Sequence, residues 1–99
     1  MIELEFYDTK YIIEYNRKAV ADVVRFQGKD EIDTVVNLIK CGLRKNHERK
    51  LPSDDDIIGW VLALGDDLPK FAEALKDMVQ DVLKTLETDR KNLKWGKIN

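Results

Sequence analysis

Strand-like patterning is confined to the first fifteen residues, and two short strands alone do not make a stable fold in water. Ile2, Leu4 and Phe6 alternate with Glu3 and Glu5, a period of two that sends the apolar side chains to one face. Residues 11–15, Tyr-Ile-Ile-Glu-Tyr, are β-branched and aromatic types that suit a strand. Asp8-Thr9-Lys10 between them is polar and short enough for a hairpin connection. The apolar face of that hairpin must be covered, and helices are what the rest of the chain offers. The expected fold is therefore α+β: an N-terminal β-hairpin followed by about four α-helices, the last long and amphipathic, with a flexible C-terminal tail.

Helix signals begin at Asn16, a good N-cap residue. Val20, Val23, Val24 and Gln27 then fall on one helical side, and Gly28 suits a C′ stop. Asp30 opens a second helix with Ile32, Val35, Val36, Ile39 and Leu43 as its apolar stripe. Gly42 costs about 1 kcal/mol relative to Ala inside a helix, so it marks either a close helix contact or an early fraying point. This helix should end within the polar stretch 44–53, with its basic residues near the negative end of the dipole. Ser53 followed by Asp54, Asp55 and Asp56 reads as a third start. Its stripe is Ile57, Ile58, Val61 and Leu62, widened by Trp60 and Leu64, and Gly65 closes it. Pro69 suits a first helical turn and biases Leu68 to an extended conformation. From Phe71 through Ala72, Leu75, Met78, Val79, Val82 and Leu83 to Leu86, helical spacing holds for more than four turns. After Glu87 the pattern stops.

Ninety-nine residues leave room for one domain, expected at 1–87, with 88–99 as a mobile tail. No apolar run approaches the length of a membrane span, and the acidic, alternating start is unlike a signal peptide. A formal charge of −2 argues against nucleic acid as the default partner. One cysteine excludes an internal disulfide framework. No metal or other cofactor is expected, and the scarcity of convergent polar groups argues against an enzyme.

Each candidate reactive group has a structural explanation. Asp54, Asp55 and Asp56 lack the ligand spacing of an EF-hand loop, and consecutive helical carboxylates point about 100° apart, so capping is the better account. Cys41 falls near the helical stripe and reads as a buried thiol. His47 sits in a charged turn with Arg44, Lys45, Arg49 and Lys50 and is expected to be solvated. That basic cluster is diluted by Glu48 and suits an acidic protein face better than phosphates. Trp95 is a large aromatic in a polar tail, which leaves docking on a partner or back on its own domain both open.

The order of features resembles the tail assembly chaperones of siphophages that infect Gram-positive bacteria. The resemblance begins with a strand–turn–strand ending in Ile13-Glu14-Tyr15-Asn16-Arg17, followed by a short helix. It continues in a helix ending Cys41-Gly42-Leu43-Arg44-Lys45-Asn46-His47, and then in a long helix and a tail with Asn92-Leu93-Lys94-Trp95. None of these motifs makes a catalytic site; the ordered set carries the likeness. It implies a non-enzymatic protein of the host bacterial cytoplasm, in phages or prophages. Such a protein binds the tape-measure protein, keeps it soluble until tail-tube protein polymerises around it, and is absent from the virion. Self-association and contact with the tail-tube protein are further implications. Arg44, Lys45, His47, Arg49, Lys50 and Trp95 are the candidate partner-binding residues.

The resemblance also implies a longer product made by ribosomal frameshifting. Trp95 is encoded TGG, while Gly96 admits GGA and Lys97 admits AAA or AAG, so a slippery G-GGA-AAR heptamer fits the frame. The competing reading is a small regulatory or adaptor protein of a mobile element, antitoxin-like or associated with nucleic acid.

Overall fold

The computed structural model describes residues 1–98. Its first strand, β1 (Ile2–Phe6), pairs antiparallel with β2 (Thr9–Ile13). The connection is shorter than expected. Thr9 lies opposite Phe6 and Lys10 opposite Glu5, so the loop is Tyr7-Asp8 and not Asp8-Thr9-Lys10. Two-residue loops match the strand twist when a central residue takes positive φ. Tyr7 does so, at φ 46°.

The hairpin is joined to five helical segments and one 3₁₀ turn. They are α1 (Arg17–Arg25), α2 (Glu31–His47), α3 (Asp54–Leu64), the 3₁₀ turn Gly65–Asp67, α4 (Leu68–Thr85) and α5 (Glu87–Asn92). The three caps read from the sequence form as hydrogen bonds. Asn16 Oδ1 accepts from Ala19 N, Asp30 Oδ1 from Asp33 N and Ser53 Oγ from Asp56 N, at 2.8, 2.8 and 3.1 Å. Each satisfies a helical N–H that has no partner within its own helix.

Beneath the hairpin runs α2. Ile13 is wholly buried, Glu14 N–H donates to Gly42 O at 2.9 Å, and Tyr15 O–H donates to Leu38 O at 2.7 Å. Gly42 makes this approach possible. A Cβ there would lie 2.5 Å from Ile13 Cγ2 and 3.1 Å from Tyr15 Cζ. The close-contact alternative for Gly42 is the one realised.

Packing departs from the sequence pattern at several points. α1 stops at Arg25, because Phe26 is extended at φ −88° and ψ 136°. Gln27 therefore lies outside the helix and Gly28 is not its stop. The buried face of α1 is Ala19 and Val20 with Val23 beside them, while Val24 faces solvent. Leu68 is helical, at φ −57° and ψ −46°, although it precedes proline. Its N–H donates to Gly65 O and its side chain packs on the core, which together outweigh the local preference. Gly65, at φ +52°, supplies the left-handed backbone that ends α3.

The core gathers residues from β2, Tyr15 after it, α1, α2, α3 and α4 as far as Val79. In α4 the buried positions are Ala72, Leu75 and Val79; Val82, Leu83 and Leu86 are only half-buried. Residues 87–92 then form α5, where the sequence pattern suggested the start of an unstructured tail. Glu87 and Asp89 in its first turn and Arg90 and Lys91 in its last suit the helix dipole, and Arg17 holds Asp89 at 2.8 Å. The result is long for its mass, 57 × 27 × 23 Å. Its radius of gyration is 15.7 Å, against about 13 Å for a compact chain of this length. Beyond Val79 the end of α4, α5 and residues 93–98 project as an arm, with Val82 and Leu83 still against the core and Asp89 tied to Arg17. No helix among the described residues is long and apolar enough to cross a membrane.

Candidate functional site

The basic turn is mostly engaged within the molecule. Arg44 Nη1 bonds Asp22 Oδ2 at 2.9 Å, and Lys45 Nζ bonds Glu14 Oε2 at 2.5 Å. Asn46 donates to the other Glu14 oxygen at 3.3 Å. The hydrogen bond from Lys45, then that from Asn46, holds the Glu14 carboxyl below its usual range.

His47 is placed differently from the expectation. It is half-buried, its Nε2 accepts the Ile12 N–H at 2.8 Å, and its ring lies 5.5 Å from that of Tyr11. The reason is that α2 continues through His47 and carries it against the outer edge of β2. The histidine closes a strand edge that would otherwise leave an N–H without a partner. Arg49 and Lys50 lie past the helix, exposed and without an ion pair among the described residues.

The remaining reactive groups are structural. Asp54 meets Lys40 at 2.9 Å beside the Ser53 cap, and the described residues contain no cluster that could hold a metal ion. Cys41 is 1% exposed, and burial pushes its thiol above the usual range, away from the nucleophilic thiolate. Burial likewise pushes the Tyr15 phenol upward, keeping it a neutral donor to Leu38 O.

What the surface offers instead is apolar area. α3 is apolar around most of its circumference, and only one side can face the body. Ile57, Trp60 and Val61 are buried, whereas Ile58 and Leu62, one turn apart, are 38% and 60% exposed. Ile58, Phe26, Ile32 and Val36 line a depression of about 470 Å³ rimmed by Lys29, Lys40 and Asp54. Ile32, Ile58 and Leu62 are stripe residues by sequence, but the tertiary packing leaves them uncovered. Helical periodicity identifies an apolar face and cannot say which part of a wide one will be covered.

A second concavity, about 210 Å³, lies beside β1 and is lined by Leu4, Phe6, Trp60, Ala63, Leu64 and Phe71. Phe6 and Tyr11 pack over Trp60 with ring centroids 5.4 and 5.1 Å away, and the buried Trp60 Nε1 has no acceptor. The third apolar region is the end of the arm, where Leu93, Trp95 and Ile98 are 74%, 90% and 97% exposed. Trp95 thus stands in solvent and is not packed on its own domain. Compared with family models, curated proteins and solved structures, the chain finds no match.

Proposed function

We propose that this protein is a siphophage tail assembly chaperone, a binding protein and not an enzyme, acting in the host bacterial cytoplasm. It covers apolar stripes of the helical tape-measure protein until tail-tube protein assembles, and it does not stay in the virion. The observation that carries this reading is the uncovered apolar face of α3, Ile58 and Leu62, continued by Phe26 and Ile32. Such a face, running along a helix and rimmed by charge of both signs, suits an amphipathic helical partner. The resemblance in the order of sequence motifs supplies the identity of that partner, and it adds the longer frameshifted form, the tail-tube protein and copies of the chain itself as companions.

Of the six partner-binding candidates, Arg49, Lys50 and Trp95 keep free side chains for this role. Arg44, Lys45 and His47 are engaged within the molecule, tying α1, Glu14 and β2 to α2. The nucleic-acid alternative has less support, because Asp22 and Glu14 offset the charge of Arg44 and Lys45.

Co-expression with the cognate tape-measure protein tests the proposal. The partner should become soluble and co-purify. A tape-measure protein that stays insoluble and does not co-purify would overturn it.

A further inference from the structure

The groove beside β1 and the end of the arm have complementary chemistry. Of the two hairpin edges, β2 is taken: Ile12 N–H bonds His47 and Glu14 N–H bonds Gly42 O. β1 pairs with β2 alone among the described residues, so its outer edge lacks a backbone partner. Exposed edges recruit further strands. Leu4, Phe6, Leu64 and Phe71 form the apolar wall next to that edge. Glu5 lines the groove; in sequence, Glu3 lies two residues before and Asp66 and Asp67 follow Leu64 after Gly65, against Lys70 beside Phe71 and Lys10 on Glu3, so acids outnumber bases near the groove.

The arm ends in the matching shape. Leu93 leaves α5 in extended conformation, at φ −85° and ψ 115°. In an extended segment Leu93 and Trp95 share one face. Beyond Asp89 the chain carries Arg90, Lys91, Lys94 and Lys97 and no acid.

With α5 helical, docking within one molecule falls short: its six residues and three extended ones reach only about 20 Å from Leu86. Phe71 lines the groove, while Leu86 lies fifteen residues further along α4 and its cap, roughly 22 Å away at helical rise. Trp95 lies beyond a further helix and stands in solvent.

We propose that residues 93–98 of one copy add along β1 of a second copy, with Leu93 and Trp95 on its Leu4/Phe6 face and Lys94 on the opposite face beside Glu3 and Glu5. The inference concerns contact between copies of this chain and does not depend on the tape-measure protein being the client.

Sedimentation velocity of the full-length chain across micromolar concentrations is the test, with circular dichroism as the check on folding. The wild-type chain should self-associate, and Trp95→Ala should weaken association roughly tenfold or more, as expected of a buried aromatic anchor. The double variants Glu3→Lys/Glu5→Lys and Lys94→Glu/Lys97→Glu should each fail to self-associate, yet associate when mixed. A monomeric wild-type chain, or association unchanged by Trp95→Ala, would overturn the proposal. Loss with Trp95→Ala but no recovery in the charge-swapped mixture would place Trp95 on another surface and overturn the groove assignment.

Discussion

Where β2 meets the second half of α2, Ile13 is wholly buried, Gly42 admits the strand, and the N–H groups of Ile12 and Glu14 both have acceptors. Along the arm, burial thins after Val79, and Leu93, Trp95 and Ile98 stand in solvent. Both regions carry large apolar side chains, and those side chains meet opposite fates. At the seam, apolar and polar groups alike are matched inside the molecule, which specifies the fold. On the arm and on the outer side of α3, apolar groups are left unmatched, which specifies surface for something else.

Substitutions should separate the two regions by size of effect. Ile13→Ala should cost the most, about 2–5 kcal/mol in denaturant unfolding, since it opens a cavity at a fully buried position. Gly42→Ala should follow. Its gain in helix propensity is outweighed by the clash with Ile13, for a net loss of about 1–3 kcal/mol in the same assay. His47→Ala should cost about 1 kcal/mol, because the Ile12 N–H loses its acceptor at a partly wet edge. Faster amide exchange at Ile12 would identify that cause.

Smaller still is the effect of Glu14→Gln, which should be visible mainly in acid. The folded carboxyl is held below its unfolded value, so its contribution is full above the ordinary carboxylate range and is lost as pH falls through the lowered value. The variant should flatten that part of the stability profile. Trp95→Ala should leave monomer stability within about 0.5 kcal/mol. If Trp95→Ala destabilised the monomer as much as Ile13→Ala, the contrast between seam and arm would fail.

Local physics was legible in the sequence wherever it acts over a turn or two. The caps at Asn16, Asp30 and Ser53, the Pro69 start and the α4 stripe are of this kind. Long-range matching was not. His47 bonds a residue thirty-five positions earlier, and its charged neighbours give no hint of that acceptor role. The hairpin loop moved to Tyr7-Asp8 because register is a property of the pair of strands. α5 has no apolar stripe to announce it and rests on charges suited to its dipole and on Arg17. For the candidate surface, Trp95 stood out as an aromatic in polar company, whereas Ile58 and Leu62 read as core until packing left them outside.

Capture of the cognate tape-measure protein by the wild-type chain and by Ile58→Asp/Leu62→Asp, measured side by side after co-expression, bears most directly on the functional role. Both positions are already exposed, so the variant should keep its circular dichroism spectrum. If the outer face of α3 holds the partner, the wild-type chain solubilises and retains it and the folded variant does not. Equal capture by the two, or no capture by the wild-type chain, would contradict that role.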